Sequence, residues 1–262
     1  MKKYVITLTT DFGWSDGFVG MMKGVILNIN PDATVIDITH DIAPQNIEQG
    51  AFLFANAYQY FPANTIHVVV IDPGVGSARR PIAVQAGETF FVAPDNGVLS
   101  SVLSSSSTVV HLNHSEYWLS RVSHTFHGRD IFAPVAAHLS LGVPLEALGD
   151  PITDWVRLSQ CSASWRAGDE IIGRVMHVDR FGNVITNIGE EMLTGMNRAR
   201  VVVTIRGKSI IGIQATYANV APGAVLALVS SSGHLEIAAR EANAAQLLGA
   251  RTGDEIVLRT LA

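Results

Sequence analysis

Cysteine is almost missing from this chain: Cys161 is the single thiol among 262 residues. One cysteine excludes an intrachain disulfide framework and a multi-cysteine zinc site, fits a reducing cytoplasm, and leaves Cys161 itself a bystander. Charge is scarce as well. Charged residues make up 16% of the chain, against roughly 25% in an average soluble protein. With 48% of residues apolar, little charge is left to cover a monomer, so an oligomer is expected. The formal net charge of -5 lacks the basic excess of a nucleic-acid binder and suits small cationic ligands better. No apolar run approaches the roughly 20 residues that cross a bilayer. Lys2 and Lys3 resemble a signal peptide's basic start, but the apolar run Tyr4 to Leu8 is too short and Asp11 follows at once. A soluble, cytoplasmic protein with no membrane partner is expected.

What the chain does have is a strong α/β pattern in its first half. Residues 4–9 read as a strand, and 18–29 as a helix with Phe18, Met21, Met22, Val25, Ile26 and Ile29 on one face. A strand at 34–38 and a helix at 46–58, with Asn46 as N-cap, repeat the unit. The run Ile66-His67-Val68-Val69-Val70-Ile71 predicts a strand buried on both faces of a mostly parallel sheet. Further strands are expected at 82–85, 89–92 and 108–112, and a helix at 129–140 despite Pro134. Beyond about residue 165, strands at 171–178, 184–188, 200–205, 209–214, 225–229 and 254–259 with one helix at 241–248 suggest a small β barrel or sandwich. The boundary falls at 150–170. The expected organisation is an α/β domain over 1–160 and a smaller β-barrel domain over 168–262.

Chemistry concentrates where strands end. Parallel sheets place ligands beyond the carboxyl ends of their strands, and Asp72 stands there, followed by Pro73, Gly74, Gly76 and Arg79. The other polar segments run from Thr9 to Asp16, Phe126 to Asp130, and Asp179 to Asn183. Each has a plain structural reading beside the functional one. Asp11 or Asp16 could cap the helix beginning near Gly17. Asp72 and Arg79 could form a structural ion pair. Residues 179–183 could be only a hairpin turn. Met21 and Met22 read as core filler. His111 and His114 lack cysteine or acidic ligands at metal-site spacing, which favours a solvated loop over a metal.

Several blocks together resemble a known family. They are TTDFGWSDGFVGMMKG at 9–24, DPGVGSARR at 72–80, APDNG at 93–97, TFHGRDIFAPVAAHL at 125–139, VDRFGNVITNI at 178–188 and SSSGHLEIA at 230–238. This order resembles the adenosine-forming S-adenosyl-L-methionine (SAM) hydrolases, or SAM hydroxide adenosyltransferases, related to the SAM-dependent fluorinase and chlorinase. The resemblance implies an N-terminal α/β domain, a C-terminal β-barrel domain, and a homotrimer with sites at subunit interfaces. It assigns the hydrolytic set to Asp72, Arg79 and His127, and the ribose hydroxyls to Asp11. Asp16 and Asp179 match carboxylates near the methionine ammonium, and Phe181 and Asn183 match adenine contacts. Ser231 and Ser232 lie where the amino-acid carboxylate is held, and the backbone near Ile237 and Ala238 would read the adenine edge. The implied ligands are SAM and adenosine, with no metal or organic cofactor. Where the halogenating enzymes have a tyrosine this chain has Asp72, and where the fluorinase has a serine beside its halide site it has Gly128. Both differences favour water over halide. The competing readings are a SAM-dependent halogenase and a non-catalytic SAM or adenosine binding module.

Overall fold

The computed structural model describes residues 4–158, 163–166 and 170–261; Cys161, Lys2 and Lys3 lie outside them. The chain divides into two compact units, Met1–Ser159 and Gln160–Ala262. Among the described residues no helix is long and apolar enough to cross a membrane.

The first unit contains β1 (Val5–Thr10), α1 (Phe18–Ile29), β2 (Thr34–Thr39), α2 (Ile47–Ala57), β3 (Thr65–Val70), β4 (Pro81–Ala86), β5 (Thr89–Pro94), β6 (Thr108–His111), α3 (Ala133–Ser140) and β7 (Asp150–Pro151). The strands form one sheet in the order β2-β1-β3-β5-β4-β6-β7. The run β2-β1-β3-β5 is parallel, while β4 and β7 run against their neighbours. Every residue of β3 is buried. Side chains alternate between the two faces of a strand, so Val68 and Val70 pack with Met22, Ile26 and Phe132, and Val69 and Ile71 with Phe54, Phe91 and Val84. This double burial explains the run from Ile66 to Ile71, apolar but for His67, and leaves Asp72 at the sheet's carboxyl edge.

Three local expectations need correction. The buried stripe of α1 is Val19, Met22 and Ile26, whereas Phe18 and Met21 are 41% and 47% exposed, so Met21 is not core filler. Gly17 caps α1 without any side-chain hydrogen bond, so neither Asp11 nor Asp16 is the cap. The helix expected from 129 opens instead as a π turn, Gly128–Phe132, and becomes α-helical only at Ala133. Pro134 has no N–H to give the Asp130 carbonyl, which accepts from Leu119 N–H (3.0 Å). His111 ends β6, within the strand expected at 108–112, so of the two histidines only His114 lies in a loop.

His67 makes β3 acid-sensitive. It is 1% exposed, its Nδ1 lies 2.7 Å from Thr7 Oγ1, and its ring stacks on Phe91. Burial lowers its pKa from 6.5 to about 4. The unfolded chain therefore binds the proton first, so this stability is complete above 6.5 and is lost as pH falls toward 4. Urea unfolding at pH 7 and pH 5 should show a loss of about 2 kcal/mol that His67→Leu does not share. Equal losses in both proteins would refute this account.

The second unit contains β8 (Ser164–Arg166), β9 (Glu170–Val178), β10 (Val184–Gly189), β11 (Val201–Ile205), β12 (Lys208–Ile211), β13 (Ile213–Gln214), β14 (Val225–Val229), β15 (His234–Ala239), α4 (Ala244–Leu248) and β16 (Glu255–Thr260). Its sheet runs β12-β11-β16-β9-β10-β15-β14-β13, with β8 on β9. The two ends of that path, β12 and β13, are consecutive in the chain, so the sheet curls into a nearly closed barrel. They were expected as one strand, 209–214; Gly212, at φ 79°, divides them. α4 starts later than expected because Asn243 caps it, accepting from Gln246 N–H (2.7 Å).

Candidate active site

The Asp72 turn is held from several directions. Asn96 Nδ2 donates to the Ile71 carbonyl (2.8 Å), Val75 N–H donates back to Asp72 O (3.2 Å) and Ser77 N–H to Gly74 O (3.1 Å). The turn returns Arg79 onto the residue that began it. Arg79 Nε donates to Asp72 Oδ1 (2.8 Å) and Nη2 to Asp72 Oδ2, a bidentate pair with both side chains buried. Nη2 also lies 3.0 Å from His127 Nδ1. A guanidinium only donates, so His127 Nδ1 accepts and its ring proton sits on Nε2. Burial, and then the Arg79 charge, hold the His127 pKa below the ordinary imidazole value, against the opposing pull of Asp72. Arg79 also lies over the Phe132 ring at 5.3 Å, and its Nη1 is buried with no hydrogen-bond partner among the described residues. Asp72, Arg79 and His127 therefore converge, as an ion pair sharing an imidazole, with donors left over on two nitrogens, Arg79 Nη1 and His127 Nε2.

Asp72 and His127 open onto a cavity of about 380 Å³, with Asp11 across it. Asp11 follows β1 directly. Its Oδ2 accepts Gln45 N–H (2.7 Å). Burial raises the Asp11 pKa above the ordinary carboxylate range, the Gln45 N–H opposes this, and the Asp72 charge adds to it. The apolar wall is an edge-on cluster of Phe12, Phe18 and Phe126, with ring centroids 5.3 to 5.8 Å apart. Asp16 is exposed in the loop before α1 and is not part of this lining.

The remaining expected residues lie in the second unit. Asp179 closes the β9–β10 hairpin: Oδ1 accepts Phe181 N–H (2.9 Å) and Asn183 N–H (2.8 Å), and Oδ2 accepts Asn183 Nδ2 (2.9 Å). Phe181 is 77% exposed. With Asn183, Tyr217 and Arg240 it lines a second cavity of about 510 Å³. Ser231 is exposed, and Ser232 Oγ lies 2.8 Å from Ser230 Oγ in the β14–β15 turn. Ile237 and Ala238 are fully buried in β15, which pairs with β10 on one side and β14 on the other. Among the described residues no cluster of three or more His, Cys, Asp or Glu side chains could hold a metal ion.

Sequence reasoning missed the Phe12–Phe18–Phe126 wall, Gln45, Asn96, and the pair Tyr217–Glu236. Tyr217 Oη donates to the buried Glu236 (2.8 Å), and burial, followed by that carboxylate, pushes the Tyr217 pKa up to about 12. The aromatic spacing was visible in the sequence; nothing in Pro44-Gln45-Asn46 distinguishes it from an ordinary helix start.

The same architecture occurs in known proteins. An (R)-S-adenosyl-L-methionine hydrolase from Salinispora tropica is 39% identical over 256 residues, covering 96% of each chain. A fluorinase from Nocardia brasiliensis is more distant, at 26% identity over 98% of this chain and 97% of its own. The crystal structure of an uncharacterized conserved protein from Thermotoga maritima matches with a TM-score of 0.89 at 38% identity, covering 97% of this chain and 99% of that one. The sequence profile of the SAM hydroxide adenosyltransferase N-terminal domain matches residues 6–149, the part that carries Asp11, Asp72, Arg79 and His127. That of the C-terminal domain matches 173–257. The chain belongs to the SAM hydroxide adenosyltransferase family.

Proposed function

We propose that this protein hydrolyses SAM at ribose C5′, giving adenosine and L-methionine. A new O–C5′ bond forms while the C5′–S bond breaks with its electron pair going to sulfur. Sulfur departs as neutral methionine, so the leaving group needs no acid. The difficulty is the nucleophile, which must sit about 3 to 3.5 Å behind C5′, in line with sulfur. The observation that carries the reading is the buried, unpartnered Arg79 Nη1 beside Asp72 and a neutral His127. Arg79 Nη1–H and His127 Nε2–H are both donors, which suits an oxygen bound as hydroxide better than a water losing its proton to His127. Asp72 balances the guanidinium charge and fixes its plane.

In this scheme Asp11 holds the ribose diol. Asp16 and Asp179 face the methionine ammonium, and Ser231 and Ser232 its carboxylate. Phe181, Asn183 and the main chain at Ile237 and Ala238 take the adenine. These assignments rest on the family resemblance, as does a cytoplasmic homotrimer with sites at subunit interfaces, which the shortage of charge and the exposed Trp14, Phe18, Met21 and Phe181 also support. No metal or organic cofactor enters the scheme.

Product chromatography after incubation with SAM tests the reading. Adenosine and methionine are expected in equal amounts, with no halogenated nucleoside in chloride or fluoride. Bound but unreacted SAM would mark a binding module, and a 5′-halogenated nucleoside a halogenase. Gly128→Ser should not create halide chemistry. A Cβ there would lie 3.3 Å from Met22 Sδ and Phe126 Cε2 and 3.4 Å from Phe12 Cζ, so a loss of about 1 kcal/mol in stability is expected from overpacking, measurable by urea unfolding. Halogenated product from this variant would contradict the reading.

A further inference from the structure

Gln45 has a backbone conformation that its sequence does not call for. Its φ is 66°, and of the non-glycine residues with positive φ among the described residues it alone lines the Asp11 cavity. Side-chain-bearing residues avoid this region, and such outliers persist only where their surroundings impose them. The surroundings here are the first turn of α2. Asn46 caps it by accepting Gln49 N–H (3.0 Å), the largely buried Gln49 side chain accepts Ala43 N–H (2.8 Å), and Gln45 O accepts Ile47 N–H (3.1 Å). With residues on both sides tied to α2, the left-handed turn leaves one amide facing away from the helix. That amide, Gln45 N–H, is the one that reaches Asp11 Oδ2 at 2.7 Å.

We propose that Gln45 is a positioning residue that aims the Asp11 carboxylate at the two hydroxyls of a ribose, and that it does so through its main chain. The proposal rests on the assignment of Asp11 as the diol ligand. A free carboxylate turns readily about its last side-chain bond, a broad sp³–sp² torsion. Two hydroxyl donors need two acceptor sites in a set plane. The Gln45 N–H fixed on Oδ2, with Asp11's own N–H as a second donor to the carboxylate, sets that plane on the cavity wall. Gln45 thus couples the loop after β2 to the loop after β1, and the selectivity for a ribose over a deoxygenated sugar depends on a residue whose side chain need not touch the ligand.

The test is calorimetric binding of adenosine and 2′,3′-dideoxyadenosine to the full chain and its variants. The readout is the ratio of the two affinities, which general loss of folding or of base contacts does not move. Gln45→Pro removes the N–H and fixes φ near about -65°, so the ratio should fall about tenfold or more, as expected for a lost hydrogen bond to a charged group, and approach that of Asp11→Ala. Gln45→Gly keeps the N–H without strain and should keep the wild-type ratio, whatever the glutamine side chain adds to overall affinity. If the proline variant does not fold, Gln45→Val replaces it: the N–H remains but the β-branch resists positive φ, and the ratio should fall part of the way. A ratio preserved in both Gln45→Pro and Gln45→Val, or lost in Gln45→Gly, overturns the proposal. An Asp11→Ala protein that still prefers adenosine would instead remove the diol assignment beneath it.

Discussion

Asp72→Ala is expected to abolish turnover and to destabilise the protein by about 3 to 5 kcal/mol, the usual cost of stranding one partner of a buried ion pair. Asp72 accepts from two nitrogens of Arg79, and both side chains are almost wholly buried, at 5% and 9% exposure. Without the carboxylate, the guanidinium keeps its contact with His127 (3.0 Å) and its place over the Phe132 ring (5.3 Å), but loses the two-point pairing that fixes its plane. Loss of turnover alone would not separate a catalytic pair from a structural one, because an unfolded enzyme is also inactive. Two further variants do. Asp72→Asn keeps the shape and should retain SAM binding within a few-fold while turnover falls by about 10² or more. The double variant Asp72→Leu with Arg79→Met removes both charges, a change that is often neutral or stabilising. It should fold and remain inactive. Recovery of turnover with the apolar pair would reduce Asp72 and Arg79 to a structural ion pair.

The second large effect is expected at Gly76. Its φ is 75°, and a Cβ there would overlap the carbonyl oxygen of His124 and lie 3.3 Å from its carbonyl carbon. His124 is three residues before His127, so this close approach brings the Asp72–Arg79 turn against the segment that carries the imidazole. Gly76→Ala should cost about 1 to 3 kcal/mol in backbone strain, with the overlap added to it. The turn must also draw away from His124. A displacement of about 1 Å between catalytic groups can lower the rate roughly a hundredfold. Gly87→Ala supplies the control, because Gly87 also has positive φ, 61°, but nothing within 4 Å of its Cβ position. Thermal unfolding and steady-state rates of the two variants should therefore diverge, with Gly87→Ala losing stability alone. Matching behaviour would mean that the His124 approach has no role in the site.

Much of the first unit was legible because its signals are local. The run Ile66 to Ile71, apolar but for His67, marks a strand buried on both faces, and its abrupt end in Asp72, Pro73 and Gly74 marks the edge where ligands sit. Asn46 with Gln49 announced α2 correctly. The Asp72–Arg79 pair was legible as a pair because a short glycine turn links its members. His127 was not, because 48 residues separate it from Arg79 and only the family resemblance joined them. Asp11 and Asp16 look equivalent in sequence, both ahead of a helix, and only the fold separates the cavity carboxylate from the exposed one. The failures have physical causes too. Pro134 turns an expected α-helical start into a π turn, since the missing N–H cannot continue the ladder. β15 escaped notice because His234 and Glu236 interrupt its apolar pattern, and Glu236 is tolerated inside only because Tyr217 donates to it. Gly212 cuts one expected strand in two and thereby lets the barrel path nearly close.

The central claim is that Asp72, Arg79 and His127 direct a solvent oxygen onto ribose C5′. Its most direct test is a single reaction with SAM in oxygen-18 water, followed by mass spectrometry of the separated products. The account predicts one labelled oxygen in the 5′-hydroxyl of adenosine and none in methionine. Adenosine without label, or label carried by the amino-acid fragment, would place the attack at another atom and contradict it.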